Sequence, residues 1–418
     1  MRELRIQPER LENQLQKLGS FGRNEQGGID RTTFTPSELA AREWLKSELR
    51  RAGLHVRIDP AANIWGRRDG GDHSLPVIAF GSHIDTVPNG GMYDGALGVL
   101  IALEVMRTLI DNDAAIRHPL ELVSFSAEEP NPFGLSTLGS RAAAGKLSRS
   151  DLEGVTDNEG RLLTEALAAA GGDPDKFEKA RLDPAWLSAF LEVHIEQGKR
   201  LLERNIAVGI VTSITGIYRE VVTVHGEANH AGTTRMEDRC DALMAASELM
   251  LAFEEICRNH PSGEVVGTVG CISNFPNAAN IIPAKVVFIL EARGNSELEI
   301  QKVMEAWSLR AEVIGVKRKI RIERRLMLNQ APVPMEQTVI GVCRQKVDEL
   351  GYDSLFLGSM AGHDAAHMSA LTRTGMLFVP SLEGKSHCLE ERSRMDDIEK
   401  AANVLLHVIL ELDCTLDQ

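Results

Sequence analysis

Apolar residues recur along the first third of this chain in two distinct rhythms. Val77-Ile78-Ala79-Phe80 and Leu120 to Phe125 are short continuous runs that read as strands buried on both faces. Between them, Ala96 to Leu109 is apolar at helical spacing and rich in small residues, which predicts a helix packed on the sheet. Together these segments make a strand–helix–strand unit. Upstream, Thr35-Pro36-Ser37-Glu38 has the capping-box pattern with Pro at the first helical position, and predicts a helix ending before Gly53. His55 to Ile58 and Asn63 to Arg67 alternate as strands.

From about Gly145 to Pro184 the chain is polar and interrupted by glycine, which predicts an excursion of short helices. Near Ile214-Thr215-Gly216 the rhythm changes. Strands are predicted at Arg219–Val224, Val265–Ile272, Lys285–Arg293 and Lys317–Arg325, and helices at Asp241–Cys257 and Ser296–Val313. The β-α-β-β-α-β order is that of a small ferredoxin-like sandwich. After Val333-Pro334 longer α/β elements return. The predicted organisation is a catalytic domain over 1–214 and 329–418, with an inserted lid or dimerisation domain over 215–328. The crevice between such domains is the expected substrate site.

At 418 residues the chain is long enough for two domains with large cores, and its 43% hydrophobic and 25% charged content suits a globular protein. A formal charge of −14 argues against a phosphate-binding surface, so no nucleic-acid partner is expected. Met1-Arg2-Glu3-Leu4-Arg5 has no apolar core region, and no stretch is long and apolar enough to span a bilayer. The six cysteines have neither C-x-x-C spacing nor disulfide-like crowding. A cytoplasmic protein with no membrane partner is the expectation.

The chemistry lies in five metal-type side chains, each in a setting rich in small residues. They are His83 in Gly81-Ser82-His83, Asp94 in Tyr93-Asp94-Gly95, the pair Glu128-Glu129, His194 in His194-Ile195-Glu196-Gln197-Gly198, and His387 in Ser386-His387. Singly, each has a plainer explanation: a lone histidine beside a strand is more often packing, and Asp-Gly is a turn signal. Placement changes the balance. His83 follows one buried run and Glu128-Glu129 the other, and ligands in open α/β folds collect beyond the carboxyl ends of parallel strands. Imidazoles and carboxylates are ligand types that zinc and manganese accept. Asp85, two residues from His83, is the right type to fix its tautomer. A carboxylate set between the others can bridge two ions, and the spare acid of the pair is left for proton transfer, which points to a dinuclear metallohydrolase.

At this point the motifs resemble a known family, the hydantoinase/carbamoylase amidases of the dinuclear zinc aminoacylase/carboxypeptidase-like superfamily. The resemblance runs from about Leu18 onward. It rests on Gly81 to Gly91, His194 to Gly198, Asn229-His230-Ala231-Gly232-Thr233-Thr234, Asn280-Ile281-Ile282-Pro283, Ala361-Gly362-His363-Asp364-Ala365 and Ser386-His387. The family's fold would be a zinc-exopeptidase-like α/β catalytic domain, a mixed sheet flanked by helices, with an inserted ferredoxin-like α+β domain. The resemblance implies two divalent ions per subunit, zinc or manganese. Asp94 would bridge them, with His83 and His194 completing one site and Glu129 and His387 the other. Glu128 would be the general base and then the general acid.

Substrate contacts implied by the resemblance are Gln197, Arg219, Asn280, Arg293 and Gly362, with Arg293 gripping a carboxylate bidentately. His230 would reach across a homodimer to stabilise the oxyanion. His363 would be a packing or supporting residue, and the Asp94–Gly95 peptide would be cis. The implied activity is cleavage of the carbamoyl C–N bond of an N-carbamoyl-L-amino acid or related ureido acid, releasing the amino compound, CO2 and NH3. Allantoate hydrolysis and removal of an N-acyl group are the alternatives; a non-catalytic binding protein is disfavoured because every ligand and the base are present. The chain departs from the family pattern at Pro130-Asn131-Pro132 and at Cys388, both near the expected substrate pocket.

Overall fold

The computed structural model describes residues 4–416. Its elements begin with α1 (Pro8–Leu18), α2 (Pro36–Arg51), β1 (His55–Ile58), β2 (Ile64–Arg68), β3 (Val77–His83), α3 (Ala96–Asp111) and β4 (Leu120–Phe125). Short α4 (Leu138–Ala143) and α5 (Leu163–Ala169) precede β5 (Leu187–Ile195), α6 (Arg200–Arg204) and β6 (Val208–Ile214). Then come β7 (Gly216–His225), α7 (Ala242–Arg258), β8 (Val266–Phe275), β9 (Lys285–Gly294), α8 (Glu297–Arg318) and β10 (Arg321–Gln330). The chain closes with β11 (Val333–Pro334), α9 (Gln337–Glu349), β12 (Ser354–Ser359), α10 (Ala365–Met368), β13 (Arg373–Val379) and α11 (Met395–Thr415).

The chain forms two compact units. The first takes in the chain up to Thr212, Met335–Leu357, and everything from Gly362 onward. Its mixed sheet runs β1-β2-β4-β3-β5-β13-β6, with β12 beside β6. β4, β3, β5 and β13 are mutually parallel, so their carboxyl ends share one edge. β3, β4 and β5 are buried along their whole length, as strands covered on both faces are, and this burial underlies the apolar runs at Val77–Phe80 and Leu120–Phe125. α3 lies close against the sheet because Gly98 lets it: a Cβ there would stand 2.2 Å from the Val193 carbonyl oxygen. No helix among the described residues is long and apolar enough to cross a membrane.

The second unit comprises Ser213–Pro334 and Gly358–Ala361. It is an antiparallel sheet in the order β10-β7-β9-β8, joined in the sequence β-α-β-β-α-β. Val286, Phe288, Leu290 and Ala292 of β9 pack with Leu249, Phe253 and Trp307 of α7 and α8 in one core. Alternate residues, Val287, Ile289, Glu291 and Arg293, therefore lie on the other face of the sheet. Asp241 caps α7 by accepting from Leu243 and Met244 N–H, and Ser296 caps α8 by accepting from Glu299 N–H.

Two local expectations fail. The capping box at Thr35 does not form: the Thr35 hydroxyl donates to the Thr32 carbonyl, and Glu38 turns inward to pair with Arg42. The predicted strand from Lys317 starts instead at Arg321, because α8 continues to Arg318 and ends on Lys319 in the left-handed conformation.

Candidate metal centre

Four parallel strands deliver the site to one edge of the sheet. His83 is the last residue of β3, His194 the penultimate residue of β5, and Glu128-Glu129 follow β4 by three and four residues. His387 sits in the loop between β13 and α11, and Asp94 just before α3. Backbone conformations here are unusual for their residue types. Ala127, Gln197 and His387 have φ of 52°, 59° and 57°, left-handed values that cost free energy and persist where surrounding contacts demand them.

Asp94 is the hub. Its Oδ1 faces His194 Nε2 at 3.2 Å and His83 Nε2 at 3.7 Å, and its Oδ2 faces His387 Nε2 at 3.4 Å. Glu129 Oε1 lies 3.5 Å from the same His387 nitrogen, and Glu128 Oε2 lies 3.5 Å from His83 Nε2. Oδ2 also accepts from Gln197 Nε2 and the Ser386 hydroxyl, each at 2.7 Å. Two groups thus share Asp94: His83–Asp94–His194, and Asp94–Glu129–His387. In each, the potential ligand atoms lie within 4.8 Å of one another.

The supporting contacts are specific. His83 Nδ1 is 3.0 Å from the Asp85 carbonyl oxygen and His194 Nδ1 is 3.0 Å from the Ile195 carbonyl oxygen, so both rings turn Nε2 toward Asp94. The Asp85 carboxylate accepts from the N–H groups of Glu128 and Glu129 and from the Thr33 hydroxyl, tying β3 to the glutamate pair. Gly95 leaves room for the His83 ring, since a Cβ would stand 2.3 Å from it, and its φ of 61° suits glycine.

Electrostatically the cluster is acid-rich, and apart from His387 it is buried. Burial raises the Glu128 carboxyl well above its usual range, with Glu129 and Asp364 adding to the shift. Burial and Asp94 push Glu129 up to about 7. Asp94 stays well below the carboxylate range despite its burial, because His194, His387 and His83 surround it. The hydrogen bond to Asp94 lifts His387 to about 9. Glu129 Oε1 is buried without any hydrogen-bond donor. An orphaned carboxylate oxygen among three imidazoles and a second carboxylate is a donor set that suits divalent cations of the zinc or manganese type.

The remaining sequence-predicted residues fall in both units. Gln197 and the exposed Gly362 belong to the first. Arg219, His230, Asn280 and Arg293 belong to the second. There, His230 is exposed and bridges Ile281, its backbone held between Asn229 and Asn280 by Ala231 N–H to Asn280 O and Ile282 N–H to Asn229 O. His230 Nδ1 accepts from Gly232 and Thr233 N–H, at 3.0 and 3.1 Å, which assigns the ring proton to Nε2.

Comparison with known proteins identifies the family. The profile of Peptidase family M20/M25/M40 matches residues 79–411. The chain belongs to that family. Over 407 residues it is 39% identical to an N-carbamoyl-L-amino acid amidohydrolase of Geobacillus stearothermophilus, covering 97% of this chain and 99% of the relative. It is 35% identical over 400 residues to an allantoate amidohydrolase of Bacillus subtilis (strain 168), covering 94% and 95%. A solved hydantoinase/carbamoylase-family amidase from Burkholderia multivorans superposes with a TM-score of 0.89 at 31% identity, over 98% of this chain and 99% of that one. The M20-like mixed α/β fold and the likeness to hydantoinase/carbamoylase amidases are thereby shown.

Three carboxylates around the candidate site, Glu391, Glu192 and Asp364, are not expected from the sequence. Glu391 accepts from the N–H groups of Tyr93, Asp94 and His387 and from the Ser386 hydroxyl, so one carboxylate holds both the Asp94 and His387 loops. Glu192 accepts from the Ser82 hydroxyl and Ala365 N–H under the strand ends. His363 packs edge-on against His194, ring centroids 4.6 Å apart, and burial keeps it neutral. Buried Asp364 is pushed up to about 8 by burial and by Glu192. One expectation is corrected: Asp94–Gly95 is not cis, Phe275–Pro276 being the cis peptide among the described residues, and Gly95 turns the chain through its positive φ instead.

Proposed function

We propose that this M20-family chain is a metal-dependent amidohydrolase that cleaves the carbamoyl C–N bond of an N-carbamoyl-L-amino acid or a closely related ureido acid. The observation that carries this reading is Asp94, whose two oxygens face two separate His-containing ligand groups. His83, Asp94 and His194 would hold one divalent ion, and Asp94, Glu129 and His387 a second, of zinc or manganese type. Such ions, when bound, polarise the scissile carbonyl and acidify water. The relatives' names place the chemistry among carbamoyl and ureido acids.

Glu128 is the residue left over for proton transfer. It is buried beside His83, outside the two groups that share Asp94, and its raised affinity for protons suits a group that takes one from water and gives it to the leaving nitrogen. Asp85 positions His83 and the Glu128-Glu129 backbone. Arg293 and Asn280 take the substrate carboxylate, assisted by Gln197 and the Gly362 backbone, with Arg219 beside the anchor. His230 donates from Nε2 to the developing oxyanion, and does so from the partner of a homodimer, for which the second unit is the dimerisation and lid module. Hydrolysis gives carbamate, which decomposes to CO2 and NH3, and the free amino acid. The chain's setting is proposed to be the cytoplasm.

A turnover panel tests the reading. The metal-loaded enzyme is offered carbamoyl-L-amino acids, their methyl esters, allantoate and N-acyl amino acids. Turnover of the free carbamoyl acids with the esters rejected supports it. Allantoate or an acyl amino acid as the better substrate by kcat/KM would reassign the leaving group, and equal turnover of acid and ester would remove Arg293 as the anchor.

A further inference from the structure

Arg293 does not stand alone. Its Nε donates to Glu291 Oε1 at 2.6 Å, and its Nη1 donates to the Met360 carbonyl oxygen at 3.3 Å. The other oxygen of Glu291 accepts from Arg219, whose Nε lies 2.8 Å away and whose Nη2 also reaches it. Arg219 sits directly opposite Glu291 across the β7–β9 pair, and Arg293 is two residues along β9, so all three share the sheet face turned away from α7 and α8. The other residues paired with them across the strands, Ile217, Thr268, Val266 and Leu328, carry no charge. Arg325 lies on the same face opposite Val221, but it is exposed and its charge is screened by solvent.

The clamp has two consequences. Held at Nε and Nη1, the Arg293 guanidinium is fixed in plane, and neither contact uses Nη2, so its Nη1/Nη2 edge can still take a carboxylate as a fork. Two guanidiniums and one carboxylate also leave the cluster with one net positive charge rather than two. Burial alone would raise Glu291, but Arg219 and Arg293 hold it below the usual glutamate value, so it is ionised at neutral pH.

We infer that Glu291 is a specificity-determining and positioning residue of the anchor: it orients Arg293 and cancels the charge of Arg219, which restricts the site to ureido acids with a single carboxylate. This rests on the ureido-acid reading above. Within the Arg219–Glu291–Arg293 cluster a second carboxylate on the substrate meets no uncompensated cation and is repelled by Glu291; without Glu291, Arg219 becomes available to it.

The test compares kcat/KM for N-carbamoyl-L-asparagine and N-carbamoyl-L-aspartate, which match in shape and differ by one charge. The metal-loaded wild type should prefer the asparagine derivative. Glu291→Gln should raise the aspartate-to-asparagine ratio by about tenfold, mainly through KM for the aspartate compound, as one partly buried charge at close range implies. The double variant Arg219→Gln/Glu291→Gln restores a single positive charge and should bring the ratio back toward wild type. If Glu291→Gln does not fold, Arg219→Gln supplies the opposite sign, taking the cluster to zero charge and lowering the ratio. Turnover with an unmoved ratio, or no reversal in the double variant, overturns this inference alone. No turnover of any carbamoyl acid by the wild type overturns the hydrolase reading and this inference with it.

Discussion

Glu128 and Glu129 are chemically identical neighbours that the site separates by direction. Glu129 points its orphaned oxygen toward His387 and Asp94, whereas Glu128 faces His83. If Glu128 moves protons and Glu129 holds an ion, Glu128→Gln keeps bound metal and loses about 10²–10⁴ in kcat. Glu129→Gln should instead lose about half the metal measured by plasma emission. Equal metal loss in the two variants contradicts the division of labour. The candidate ligands were legible in the sequence because their types and their places after apolar runs are local properties. Glu391, Glu192 and Asp364 were not. Glu391 acts through backbone N–H groups almost 300 positions earlier in the chain, and only the folded loops bring those together.

Elements, in turn, set how closely those residues can approach. β1 and β4 begin and end where their patterns predict: β4 is buried at every position, whereas β1 alternates exposed and half-buried residues. β10 starts later than its pattern suggests: α8 runs on to Arg318 and a left-handed Lys319 ends it, so the strand begins at Arg321. Small residues in helices separate two cases with opposite signs. Gly98→Ala would drive a methyl group into the Val193 carbonyl, one residue from His194, and should cost about 1–3 kcal/mol and weaken metal binding together. Gly341→Ala, inside α9 with nothing within 4 Å of the new carbon, should stabilise by about 0.4–1 kcal/mol. Urea melts of the two variants decide this, and destabilisation of equal size in both contradicts the packing argument.

At the scale of the whole molecule, one chain contains the proposed ion ligands in one unit and His230, Asn280 and Arg293 in another. The β-α-β-β-α-β order of the second unit was legible chiefly where apolar residues alternate, as they do from Val286 to Ala292. The residue alone does not settle where His230 acts, since an exposed histidine looks the same in sequence whether it faces solvent or a second subunit. If His230 serves the neighbouring subunit, inactive His230→Ala and Glu128→Gln proteins should regain activity when mixed and allowed to exchange. Exchange without recovery would return His230 to its own chain. The most direct test of the account is a metal titration. Protein stripped by chelator receives manganese or zinc in measured equivalents, and hydrolysis of an N-carbamoyl-L-amino acid is followed by amino-acid release. Turnover should be negligible at zero equivalents and rise to a plateau at two ions per chain. Full activity in the stripped protein, or a plateau at one equivalent, would contradict a dinuclear centre bridged by Asp94.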